Sequence, residues 1–245
     1  AQAPGNDTYA VRVGSRYPTT NAEITRGTFI VDKKNLETDQ DIYHSAIIIR
    51  SGAQGDLSIK GATVIGEVVN LSTAILDASG NYWGTDEGPF NTSFKGTGPI
   101  VIKNWLARNG NEVDLVSRAQ KVPAPGSTGV SLETEVKIVF PSEVQMDTTK
   151  EIAITTNGSK LSGVSATLQG DGKTVIVTHP PFAYGTQYTV NVPGGTFKAT
   201  LGEDDNVQVL AEQPTSWSFT TAARPLPPPP PEEPTPPGAE EPLPD

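Results

Sequence analysis

The 245-residue chain carries 28 acidic against 18 basic side chains, a formal net charge of −10 at pH 7. That balance argues against nucleic acid and anionic lipid as partners, since both demand a basic face, and no apolar run approaches the roughly 20 residues of a transmembrane segment. Cysteine is absent, which removes disulfide staples, thiolate metal sites and a Cys nucleophile.

At the N-terminus, Ala1-Gln2-Ala3-Pro4 looks like the end left when a signal peptide is cut after a small residue. With the acidic, Thr/Gly/Pro-rich composition it predicts an extracellular protein displayed at a cell surface. Tyr9 to Val13 is the first strand candidate. From Ala22 onward, short β-prone runs broken by Gly, Asn or Asp follow one another: Ala22 to Val31, Ser45 to Arg50, Leu57 to Ile65 and Leu71 to Leu76. Their starts lie about 12 to 23 residues apart, compatible with β-solenoid coils of about 20 residues. Ile47, Ile49, Leu57, Ile59 and Ile75 are the side chains expected inside, and Leu57-Ser58-Ile59-Lys60-Gly61 alternates as a half-wet strand should.

Next come Asp77-Ala78-Ser79-Gly80-Asn81-Tyr82-Trp83-Gly84-Thr85, then Gly88-Pro89, then Gly98-Pro99-Ile100-Val101-Ile102-Lys103-Asn104-Trp105-Leu106. This stretch resembles the closing segment of right-handed parallel β-helix domains in secreted bacterial proteins, where an Asn-(Tyr/Trp)-Trp-Gly element ends the last coil. The resemblance implies that Trp83 and Trp105 are apolar plugs at the end of a scaffold covering residues 1–106. A linker at 107–121 follows, and Asn104 to Val116 is the best window for a short helix.

A second unit is expected over residues 122–223. Seven short strands with turn residues between them indicate an antiparallel sandwich. Lys173 to Thr178 and Gln187 to Val192 alternate cleanly. Pro123 to Val130, Val136-Lys137-Ile138-Val139-Phe140, Tyr184-Gly185-Thr186-Gln187-Tyr188 and Trp217-Ser218-Phe219-Thr220-Thr221 stand in the order found in the bacterial Ig-like domain of surface-layer and other cell-surface proteins. The resemblance implies a fold and says little about activity, with Trp217 and Tyr188 in the core. The fold class is therefore all-β: a short parallel β-helix module, an Ig-like sandwich, and a tail over 224–245. Residues 225–245 hold eleven of the 22 prolines and five acids, so a polyproline II stalk of about 65 Å at about 3.1 Å per residue is expected.

Chemistry-bearing constellations are sparse. The two histidines, His44 and His179, stand apart in sequence, and without thiolates neither suggests a transition-metal site. Glu203, Asp204 and Asp205, followed by Asn206, form a candidate calcium loop without EF-hand spacing; a plain solvated loop is the competing reading. No Gly-x-Ser-x-Gly elbow or phosphate-binding glycine loop occurs. Asp56, Asp77 and Arg50 fall on neighbouring coils but at the scaffold's end, where a long glycan groove would stop. No catalytic residue, cofactor-binding residue or cofactor other than calcium is nominated. The expected role is structural: a subunit of a surface layer, filament or adhesin, associating with itself, with other surface proteins or with cell wall. Tyr9, Val11 and Val13 are the candidate assembly strand, either donated to another chain or covering the coil edge of their own. The alternative is a carbohydrate-binding or carbohydrate-cleaving fragment that contacts glycan, with the Ig-like domain as spacer.

Overall fold

The structure, a computed structural model, describes residues 8–13, 19–30, 44–202 and 205–229. The first part of the chain contributes β1 (Thr8–Val13), β2 (Thr19–Ile30), β3 (His44–Ile49), β4 (Ala53–Ile65), β5 (Glu67–Asn70), β6 (Leu76–Asp77), β7 (Phe94–Lys95), β8 (Ile100–Ile102), β9 (Trp105–Leu106) and β10 (Glu112–Val113). After the one-turn helix α1 (Leu115–Arg118) come β11 (Gln120–Val122), β12 (Val136–Val139), β13 (Gln145–Met146), β14 (Ala153–Thr156), β15 (Ser159–Lys160), β16 (Ser165–Leu168), β17 (Thr174–Thr178), β18 (Gln187–Val192), β19 (Phe197–Leu201), β20 (Val207–Leu210) and β21 (Thr215–Thr220). The protein is all-β apart from α1 and a 3-10 turn at Gly88–Asn91 among the described residues.

In the first part the chain alternates between two parallel sheets, β1–β3–β5–β7 and β2–β4–β6–β8, giving one strand to each on every turn. Parallel pairing stacks like on like. One apolar column runs Val11, Ile47, Val68, Phe94, and the facing column runs Ala22, Leu57, Leu76, Ile100. From the second turn onward these side chains are at most 3% exposed. Ile47, Ile49, Leu57 and Ile59 are inside as expected, but Ile75 is 57% exposed and Leu76 takes the inner place. The register Leu57↔Leu76 decides this, because neighbouring residues of an extended chain point to opposite faces.

The coil bends at a recurring left-handed position. Arg26, Gly61 and Gly80 have φ of 63°, 64° and 71°. The Gly61 amide donates to Gly80 O, and the Gly80 amide to Asn104 O, each at 2.9 Å. Beyond the bend, Tyr82 bridges to Thr63 and Asn81 to Trp105, so the stack gains a third wall. The helix expected within Asn104 to Val116 is confined to Leu115–Arg118. Trp105–Leu106 and Glu112–Val113 form an antiparallel pair instead. Asp114 caps α1 through a reciprocal box with Ser117, and Lys121 Nζ donates to the carbonyls of Val116, Ser117 and Ala119 at 2.8–3.2 Å.

The second part is a two-layer sandwich of antiparallel sheets, β11–β12–β17–β16 and β15–β14–β18–β21. Val136, Ile138, Val175 and Val177 on one layer and Ile154, Val190, Trp217 and Phe219 on the other are at most 5% exposed. Alternation in the sequence corresponds to this burial along β18, whereas Ile176 and Val139 are apolar but only half-buried on the alternate face. At the β16–β17 turn, Asp171 accepts from the Lys173 amide at 2.9 Å and from the Thr174 hydroxyl at 2.7 Å and amide at 2.9 Å. The Thr174 hydroxyl and these amides hold its carboxyl down at about 2. A depressed carboxylate contributes stability above its unfolded value, near 3.9, and that contribution disappears as pH falls towards 2. Asp171→Ala is therefore expected to lower the thermal midpoint at pH 6. It should also flatten the acid limb between about pH 4 and 2, as read by calorimetry across that range.

Candidate functional site

The two parts meet by sharing a sheet. Strands β13, β19 and β20 belong to neither layer of the sandwich; they extend the second coil sheet to seven strands in the order β13–β19–β20–β8–β6–β4–β2. Strand β20 lies parallel on β8, with Val207↔Ile100, Gln208↔Val101 and Val209↔Ile102 in register. Val207 thereby continues the column of Leu57, Leu76 and Ile100, and Val207 and Val209 are fully buried. Asn206, at the head of β20, donates from Nδ2 to Gly96 O at 2.8 Å and Gly98 O at 2.7 Å, while its main-chain carbonyl accepts from the Ile100 amide at 2.9 Å. The closing rung of the coil is thus supplied from more than a hundred residues away.

Beside this junction lies a groove of about 710 Å³. Charges of alternating sign run along it: Lys60 sits 3.6 Å from Asp77, and Lys103 sits 3.3 Å from Glu212. Burial pushes the Asp77 carboxyl up. The Ser79 hydroxyl and amide, with Lys60 and Lys103 nearby, outweigh it and hold the group below its ordinary value. The Ser79 hydroxyl donates to Asp77 at 2.6 Å and accepts from the Lys103 amide at 3.0 Å, tying two turns together. Both ion pairs are substantially exposed, so each is worth about 1 kcal/mol or less; they set alignment more than stability.

The indoles and rings singled out in the sequence are buried, in three environments. Trp105 is fully buried, edge-on to Phe90 at 5.8 Å, with its N–H directed at Asp86 O at 3.4 Å. Trp83 is edge-on to Phe94 at 5.7 Å, but its buried N–H meets no acceptor among the described residues. Trp217 donates to Pro123 O at 3.0 Å. Tyr188 packs on Phe182 at 4.4 Å, and its hydroxyl accepts from the Ala183 amide. These contacts separate the phenylalanine variants. Trp217→Phe strands a buried carbonyl and should cost about 2–3 kcal/mol, whereas Trp83→Phe removes an unsatisfied donor and should cost about 1 kcal/mol or less. Urea denaturation midpoints of the two variants check the difference.

His179 stacks on Phe182 at 4.0 Å, its ring nitrogens directed at Thr134 O and Pro180 O, so its surroundings are structural. Strand β1 carries Tyr9, Val11 and Val13 and lies parallel on β3, with Tyr9↔Ser45, Val11↔Ile47 and Val13↔Ile49. Of the calcium candidates, Glu203 and Asp204 lie outside the described residues, and Asp205 is exposed with φ 52°. Among the described residues no three His, Cys, Asp or Glu side chains converge as a metal-holding group. Asn81 belongs to the Asn-Tyr-Trp-Gly element and Asn206 adjoins the calcium candidates, yet both act as backbone clamps between turns; an Asn at a bend in an otherwise β-prone segment is the sequence signal for that role.

Residues 117–221 match the family model of the bacterial Ig-like domain. The matched Ig-like segment takes in β11 to β21 and so includes the β19–β20 hairpin that closes the coil. Domains of this family occur in bacterial surface and extracellular proteins, and the chain is consistent with such a setting. No curated protein matches the chain. No helix among the described residues is long and apolar enough to cross a membrane.

Proposed function

We propose that this chain is a structural element of the bacterial cell exterior: the closing coils of a secreted parallel β-helix, joined to an Ig-like domain and carried on a Pro-rich stalk. Its place is in a surface layer, filament or adhesin, with no reaction of its own. The observation that carries this reading is the seven-stranded sheet running through both parts. A hinge between two modules would let them reorient, whereas a shared sheet with a continuous aliphatic column passes load from one to the other. Of the stalk, residues 224–229 are exposed and without regular structure, and 230–245 lie outside the described residues. Self-association or docking on other wall components fits a net charge of −10 better than binding to polyanions.

Electron microscopy of purified protein tests the reading: ordered arrays, fibres or uniform rods support it, and hydrolysis of a polysaccharide by the same preparation sinks it. The groove beside Asp77 favours one second reading, a glycan contact. Glu212 and Lys103 there offer hydrogen-bonding groups, but among the described residues no aromatic ring lines it to stack on a sugar face. Reproducible micromolar binding on a glycan array, without self-association, would favour that reading instead.

A further inference from the structure

We infer that the β19–β20 hairpin of the Ig-like domain is a built-in stop, covering the β8 edge so that the coil stack cannot be extended there by a strand of a second copy. The exposed end of a parallel stack is an open row of backbone donors and acceptors, a template for edge-to-edge pairing. Strand β8, Ile100-Val101-Ile102, is wholly aliphatic, with no charge, proline or bulge within it, the composition that makes an uncovered edge associate. Strand β20 covers it in register, and its Val207 and Val209 fill the two places where a further coil's aliphatic side chains would stack. Asn206 then closes the two glycine carbonyls beside the strand. On the far side, β19 continues antiparallel into the two-residue β13, so the sheet ends on a short edge. The hairpin thus turns a repeating parallel stack, which any similar strand could prolong, into one that ends.

The test uses the full chain, compared with the unaltered protein. Two substitutions loosen the cover: Asn206→Ala removes the carbonyl clamp, and Gln208→Pro breaks the ladder at an exposed position. A third variant fastens it. Val101→Cys with Gln208→Cys joins register partners in a chain that has no other cysteine. Hydrogen exchange at the β8 amides reports opening, protection at β12 and β17 reports that the sandwich remains folded, and sedimentation reports size. Loosened variants should exchange at least tenfold faster at β8 and show dimers or larger species at tens of micromolar protein, while the oxidised cysteine pair in the Asn206→Ala background should return the sedimentation profile to that of the unaltered protein. The inference is overturned by loosened variants whose β8 opens without any gain in association. It is equally overturned if neither variant opens β8, or if association persists in the fastened one. These outcomes are differences from the unaltered chain, so they are independent of whether that chain forms arrays.

Discussion

Asn81→Leu should destabilise the coil stack by about 3–9 kcal/mol, a large fraction of the 5–15 kcal/mol available to a typical domain. Asn81 is fully buried. Its Nδ2 donates to Ile59 O at 2.6 Å and Ala78 O at 2.8 Å, and its Oδ1 accepts from the Ala62 amide at 3.0 Å. Its own backbone carbonyl accepts from the Leu106 amide at 2.9 Å, so one residue stitches three successive turns. Leucine keeps the branched shape with bulkier methyl groups and supplies none of the side-chain bonds, leaving three buried backbone groups unpaired at about 1–3 kcal/mol each. Asn81→Asp keeps the acceptor but sets a carboxylate against two carbonyl oxygens. It should recover partly at acidic pH, where the protonated carboxyl regains a donor. Urea denaturation checks both variants, with exchange at Ala62 against exchange at the β12 and β17 amides locating the loss. A leucine variant within 1 kcal/mol of the unaltered protein would show that the side-chain bonds do not hold the turns together.

How far the fold could be read ahead depended on strand length. Where a strand is four residues or longer and only one face is covered, the alternation of burial can be followed, and Leu57/Ile59, Val175/Val177 and Tyr188/Val190/Val192 could be assigned to the interior from the chain alone. Strand β5 and residues 46–49 of β3 are buried at every position and carry no such alternation. Strand β6 has only two residues, too few for a period, and there Ile75 took the place that belongs to Leu76. Val207-Gln208-Val209 carries the alternation of a strand, yet nothing local says that its partner is Ile100-Val101-Ile102 of the other unit. That pairing is decided by which edge lacks a neighbour, a property of the assembled coil. Bends were half visible: Gly61 and Gly80 advertise the left-handed corner, whereas Arg26 occupies the same conformation without the residue that usually marks it. The junction was least legible, because its parts are ordinary one by one: an Asn, two glycine carbonyls and two surface ion pairs.

Trp105→Ala should cost about 3–5 kcal/mol, the range for emptying a buried aromatic site, with Gly88→Val close behind it. The indole fills the end of the coil, edge-on to Phe90, and Gly88 lies flat against it. A Cβ on Gly88 would fall 2.4 Å from Trp105 Cε2, and φ there is +79°, where a β-branched residue is strained whatever the space. The two substitutions attack one contact from opposite sides, by a void and by a clash, so they should be far from additive. Once Trp105 is gone, the side chain at position 88 has room, and its cost falls to the backbone strain alone. A double-mutant cycle in urea that returned simple additivity would mean that the ring does not rest on Gly88. A non-additive cycle, together with faster exchange at Leu106 and Asn81, would identify this pair as the plug on which the last turn closes.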